Sequence, residues 1–145
     1  MTPSIRVAAI IIENDELLMI CHKKNDYEYY LLPGGKVEYK EALDIALKRE
    51  IKEELNVDID VKDIRIVSDS IDEKDNRHII NICFMCDYIS GEYKIGDEER
   101  LLKYKFMSCE ELESLDIHPP INKELVGLLE NKKSNIYLGK LWKSN

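Results

Sequence analysis

Gly35–Val57 reads GKVEYKEALDIALKREIKEELNV, and the way this stretch folds decides the rest of the chain. Its apolar positions Leu43, Leu47 and Ile51 recur at helical spacing. At about 100° per residue they fall at roughly 20°, 60° and 100° on a helical wheel that sets Glu50 at 0°. On the same wheel Glu53 lies at about −60° and Glu54 at about +40°. Three carboxylates therefore share roughly one turn. Like charges at these spacings cost a few tenths of a kcal/mol per pair even in water. Glu54 falls inside the apolar stripe and Glu50 at its edge, so folding drives both toward the protein body. Buried charge without a partner is far more costly. A divalent cation is the simplest group that makes such crowding tolerable. The competing reading is a solvated surface helix laced with Lys/Glu pairs, for which Lys48, Arg49 and Lys52 are available. It leaves Glu54 within the stripe unexplained.

Just upstream, Leu31-Leu32-Pro33-Gly34-Gly35 is an apolar segment ending in a Pro-Gly-Gly turn. Glycines permit close backbone approach, so an amide or carbonyl here can reach a ligand held by the helix.

Gly35, five residues, Glu41, seven residues, then Arg49-Glu50-Ile51-Lys52-Glu53-Glu54 resembles the Nudix box. One position departs from that pattern: Asn56 stands where the box ends in Gly. Asn also tolerates the left-handed conformation that closes a helix. The resemblance implies an α/β fold, a Nudix-type α/β/α sandwich with a mixed sheet between helices. It also implies hydrolysis of a nucleoside diphosphate linked to another group, with Mg²⁺ as cofactor and Mn²⁺ as a substitute. By resemblance Glu53 and Glu54 are the main metal ligands and Glu50 is a further one. The carbonyl of Gly34 or Gly35 completes the shell. Arg49 orients the carboxylates, and Glu41, read here as opening the helix where a negative charge is favoured, buttresses Arg49. The general base is a box carboxylate (Glu50 or Glu53) or a glutamate from a later loop. Asp97-Glu98-Glu99 offers Glu98 or Glu99. Tyr30 is the aromatic expected before the Pro-Gly-Gly turn, with Tyr29 and Tyr27 nearby as further stacking candidates. Lys36 and Arg6 are candidates for substrate phosphates. Such proteins also include nucleotide-binding modules that do not cleave. Retention of Glu41, Arg49, Glu50, Glu53 and Glu54 favours the enzyme.

The 145 residues suit one domain spanning 1–145. A net charge of −8 argues against nucleic acid or an anionic membrane as partner, and leaves a small nucleotide whose phosphates a metal would bridge. Family resemblance leaves a homodimer open. No cationic-then-apolar leader is evident at the N-terminus, and Val7–Ile12 is too short an apolar run to span a bilayer, so the cytoplasm is the expected compartment. Cys83 and Cys86 sit three apart in a strand-like run. Their side chains should face opposite ways as core thiols.

Pattern reading places strands at Ile5–Glu13 and Leu17–Lys23 joined by a turn at Asn14-Asp15-Glu16. A charged loop at Lys23–Glu28 leads to a short strand at Tyr29–Leu32. The helix spans Glu41–Leu55. Further strands are expected at Val57–Val67, Arg77–Ile89 and Arg100–Met107, with a polar loop over Ser68–Asn76. Ser108 should cap a short helix running through Leu115, with Glu111 at the capping-box position. A second amphipathic helix covers Ile121–Asn131, and a strand is expected at Asn135–Trp142. Neither the proline that marks many ADP-ribose enzymes of the family, looked for in Ser68–Asn76, nor the array of NADH enzymes is present. That leaves a nucleoside triphosphate or a nucleotide sugar.

Overall fold

The structure is a computed structural model and describes residues 2–141. Nine strands and three helices build two sheets with helices on both sides. The larger sheet joins β1 (Ser4–Ile10), β5 (Gly34–Lys36), β6 (Asp58–Asp72), β7 (Arg77–Ser90) and β9 (Tyr137–Leu141) in the order β5-β1-β7-β6-β9. It is mixed: β1 and β7 run parallel, whereas β5 and β6 are antiparallel to their neighbours β1 and β7. The smaller, antiparallel sheet holds β2 (Ile12–Glu13), β3 (Glu16–Lys24), β4 (Tyr27–Leu31) and β8 (Leu101–Met107).

Period-two alternation builds both cores. Val7, Ala9, Ile11, Leu18 and Ile20 pack against Leu47, Ile51 and Leu55 of α1 (Leu43–Leu55). The intervening Ala8, Ile10, Leu17 and Met19 face Leu112 of α2 (Cys109–Ser114) and Leu125 of α3 (Asn122–Leu129). Each fully buried Leu or Ile contributes about 1.5–3 kcal/mol. The sheets therefore lie between α1 and the α2/α3 pair, as the α/β/α expectation requires. Cys86 joins the first core and Cys83 the second, on opposite faces as expected. Among the described residues no helix is long and apolar enough to cross a membrane.

The expected strand over Ile5–Glu13 is two strands. The chain crosses between sheets at the buried Ile11, whose carbonyl accepts the Leu18 amide. Asn14 and Asp15 both adopt positive φ, 51° and 62°, which matches the twist of a two-residue hairpin. Lys23–Glu28 is a hairpin rather than a loop, with Lys24 paired to Tyr27. Ser68–Asp72 belongs to β6 and is not a loop: the amide of Asn81 donates to the hydroxyls of Ser68 and Ser70, so these buried polar residues are satisfied within the sheet. The Ser108 capping box forms as read, and β9 occupies the expected C-terminal strand up to Leu141, with Trp142 outside the described residues.

Candidate active site

α1 begins at Leu43 with Ala42 as an N-cap lacking a side-chain hydrogen bond, so Glu41 does not open the helix. Glu41 stands before it and serves Arg49. The Arg49 Nε and Nη2 donate to its two oxygens at 2.7 and 2.9 Å, while Glu38 N–H donates to the same carboxylate. This paired fork holds the Glu41 carboxyl down at about 2, with the Arg49 hydrogen bond as the main cause. Arg49 also donates to Glu50 at 2.8 Å and to the Lys36 carbonyl at 3.2 Å, and lies 3.5 Å from Glu53. Its own pKa rises well above the ordinary range, chiefly through Glu41 and then Glu50. Arg49 thus touches Glu41, Glu50 and Glu53 at once.

The helix ends at Asn56, with φ at 63° and its N–H on the Lys52 carbonyl. The substitution at the last box position thus preserves the left-handed cap.

The sequence Gly34-Gly35 forms a strand rather than a turn: backbone crowding requires Gly34, and Gly35 leaves room for the Glu50 side chain. A Cβ on Gly34 would lie 2.0 Å from the Val7 carbonyl oxygen, and one on Gly35 would lie 2.2 Å from the Glu50 carboxyl. Gly34 contributes its amide, which donates to Glu54 Oε1 at 3.0 Å.

Glu54 is only 7% exposed. Burial pushes its carboxyl up to about 8. The Arg6 charge and the Gly34 amide oppose this, while Glu98 and Glu50 add to it. Among the described residues no cation stands within ion-pair distance of it. The Glu50 side chain is 19% exposed and is raised mainly by burial, with Glu53 and Glu98 contributing. The Glu53 side chain, 62% exposed, faces solvent.

The loop after β7 is stitched to the end of α1. Lys94 and Gly96 amides donate to the Leu55 and Glu54 carbonyls, both at 3.0 Å, and so occupy acceptors that a helix end leaves open. A Cβ on Gly96 would sit 2.2 Å from the Glu53 carbonyl oxygen. This docking separates the two loop candidates. Glu98 is close enough for its charge to act on both Glu50 and Glu54. Glu99 instead lines a cleft of about 420 Å³ with Lys23, Lys24 and Arg100.

The tyrosine expectation divides likewise. Tyr30 packs into the α2/α3 core and sits beside Cys21, on the face away from the carboxylates. Tyr29 occupies the other face of β4, stacked on His118 at 4.7 Å and on Tyr27 at 5.8 Å. Arg6 donates to the Leu32 carbonyl at 2.7 Å and its charge reaches Glu54. Lys36 is exposed and joins the network through its carbonyl only.

Among the described residues no three His, Cys, Asp or Glu side chains close around one point as a finished metal cage. The donor set nevertheless suits a hard divalent cation: it is all oxygen, Glu54 is buried without a cationic partner among the described residues, and the Glu50 and Glu98 charges reach it. Tyr27, read with Tyr29 as a stacking candidate, joins the aromatic group of Tyr29 and His118. Gly96, His22 and His118 were not singled out for the site in the sequence: Gly96 carries no motif, and the histidines meet the tyrosines only across strands.

The NUDIX domain matches residues 2–129 of the chain. An ADP-ribose pyrophosphatase from Methanocaldococcus jannaschii is 38% identical over 99 residues, 68% of this chain; the match spans 59% of that relative's length. The nucleoside triphosphatase NudI of Escherichia coli is 28% identical over 128 residues, 79% of this chain and 89% of that protein. The MutT NUDIX hydrolase from Burkholderia pseudomallei shares the fold, with a TM-score of 0.75 at 24% identity over 87% of this chain and 97% of that one. A match over residues 2–129, box helix included, has one reading: the chain belongs to the NUDIX domain family.

Proposed function

We propose that the protein is a divalent-metal-dependent pyrophosphohydrolase. Its substrate is a nucleoside diphosphate linked to a further phosphate or to a sugar. The observation that carries this is Glu54, a carboxylate held in the apolar stripe by the Gly34 amide with no cation pairing it among the described residues. Glu50, Glu53 and Glu54 would hold Mg²⁺ or Mn²⁺, with Glu98 bordering them. When bound, the metal supplies charge neutralisation on the phosphates and a water of lowered pKa.

The chain's own residues do the rest. Arg49 holds Glu50 toward the glycine strand and keeps it from swinging outward. In this reading Glu98, whose charge reaches Glu50 and Glu54, takes the proton as water attacks phosphorus. The phosphoanhydride P–O bond then breaks, and the second phosphate leaves with the bonding electrons. Gly34 and Gly35 let β5 come close enough for the carboxylates to pack against backbone. Arg6, whose charge reaches Glu54, offers positive charge to the departing phosphate.

Both a nucleoside triphosphate and ADP-ribose are substrates named for relatives of this chain. The test is a panel of both classes with Mg²⁺ or Mn²⁺, following release of mononucleotide, phosphate or pyrophosphate. Turnover in the wild type and its loss in Glu53→Gln and Glu54→Gln, with unchanged folding, is the expected result. Nucleotide binding with no product after long incubation would reverse the assignment in favour of a binding module.

A further inference from the structure

Asn56 does more than close α1. Its side-chain amide donates to the Glu92 carbonyl at 3.0 Å, which ties the helix end to the loop between β7 and β8. A glycine, the residue that ends the box pattern, would cap the helix as well and make no such bond. The loop start runs hard against Asn56: a Cβ on Gly91 would lie 2.6 Å from the Asn56 carbonyl oxygen. Two further bonds continue the seam, Lys94 N–H to the Leu55 carbonyl and Gly96 N–H to the Glu54 carbonyl, both at 3.0 Å. Glu92, Lys94 and Gly96 thus meet Asn56, Leu55 and Glu54 in turn. The alternate residues Tyr93 and Ile95 face the other way, into the core that α1 covers. There the Tyr93 ring stacks with Tyr88 at 5.5 Å and its hydroxyl donates to Glu13 at 2.9 Å.

The seam sets where the loop carboxylate can stand. Gly96 lies against the Glu53–Glu54 backbone, since a Cβ there would be 2.2 Å from the Glu53 carbonyl oxygen and 3.7 Å from the Glu54 Cα. Glu98 follows two residues later, so its Cα is within about 7.6 Å of that of Gly96. The Leu101 amide then closes the turn on the Glu98 carbonyl at 3.1 Å. Asn56, Glu92 and Lys94 are exposed, so directed bonds rather than apolar packing hold this side of the loop. Of the three bonds, the one from Asn56 alone comes from a side chain. It can therefore be removed while the backbone path stays as it is.

We propose that Asn56 is a positioning residue: its side chain pins residues 92–96 to the end of α1 and so holds Glu98 beside the carboxylates of that helix end. The role of Glu98 rests on the hydrolase reading, whereas the tie itself does not. The test pairs Asn56→Gly, which keeps the left-handed cap, with Asn56→Asp, which keeps the shape and tolerates the same backbone but has no N–H to give. The first arm is amide hydrogen exchange on the whole chain, without metal or substrate. Exchange at Lys94 and Gly96 should quicken about fivefold in both variants, the scale of one neutral hydrogen bond, while Leu47 and Ile51 inside α1 stay within about twofold. In the second arm, with Mg²⁺ and either a nucleoside triphosphate or ADP-ribose, Asn56→Gly should lower kcat about fivefold at a KM within about twofold of wild type, because a proton acceptor is needed only in the transition state. In a Glu98→Gln background the same change should alter kcat by less than about twofold. Unchanged exchange at Lys94 and Gly96 would overturn the tie. Quicker exchange with wild-type kcat, or the full fivefold loss in the Glu98→Gln background, would overturn the positioning of Glu98. A wild type that turns over neither nucleotide would sink the hydrolase reading and the positioning role with it, while exchange would still decide the tie.

Discussion

Replacing Glu54 by Gln separates the two demands on this position, because it keeps the shape and the oxygen that accepts from Gly34 but removes the charge. In the protein without metal, burial raises the Glu54 carboxyl from 4.5 to about 8. The sign follows from linkage: a folded-state pKa above the unfolded one gives stability that is whole below about 4.5 and is lost as pH rises through about 8. Between those limits the unfolded chain releases a proton that the folded chain retains. At about 1.4 kcal/mol per pH unit the gap corresponds to at most about 5 kcal/mol. Water reaching the carboxylate relieves part of this, so ~2–4 kcal/mol is the expected loss. Glu54→Gln should therefore match the wild type within about 1 kcal/mol at pH 5 and exceed it by ~2–4 kcal/mol at pH 9, both in EDTA. The assay is urea unfolding at the two pH values, with and without Mg²⁺. Added Mg²⁺ should stabilise the wild type at pH 9 and leave the variant unmoved, since a ligand that binds only the folded state stabilises it by mass action. A stability difference between variant and wild type that does not change from pH 5 to pH 9 would refute the claim that Glu54 is a confined, unpaired carboxylate.

Gly35→Ala introduces a methyl 2.2 Å from the Glu50 carboxyl. It should lower kcat by about 100-fold, the scale of a small misplacement at a reacting centre, while thermal unfolding shifts little because a side-chain end can move aside. Gly96→Ala meets backbone at 2.2 Å, the Glu53 carbonyl, which cannot move aside. It should release the 94–96 stitch, destabilise by about 1–3 kcal/mol and raise proteolytic nicking of the loop carrying Glu98; an unchanged cleavage rate would count against the docking described. His22 is held at about 4 instead of 6.5, so it contributes stability that is whole above pH 6.5 and is lost as pH falls through 4. Because the ring is partly exposed, the change amounts to ~1–2 kcal/mol, and His22→Phe should abolish it in unfolding curves taken between pH 4 and 7.

Local and periodic features could be read along the chain alone. Helical spacing put Glu54 into the stripe of Leu43, Leu47 and Ile51, and the structure buries it there. Ser108 and Glu111 carried their own cap, and Asn56 kept the left-handed helix end. Alternation placed Cys83 and Cys86 on opposite faces. These properties depend on neighbours within about one helical turn or one strand, which a linear reading contains.

Other features depended on partners distant in the chain. The strand over Ile5–Glu13 divides because the second sheet captures the residues after Ile11. Ser68 and Ser70 look like loop residues until Asn81, more than ten positions away, supplies their hydrogen bonds. Tyr29 and Tyr30 are adjacent in sequence, yet the pleat sends one toward His22 and His118 and the other into the opposite core. Glu98 and Glu99 were equivalent as letters. Only the docking of Gly96 on the end of α1 brings Glu98 to the carboxylates and leaves Glu99 in the basic cleft. A helix writes its charge pattern into the chain, whereas the direction of a loop carboxylate is set by which distant carbonyl its neighbour's amide meets.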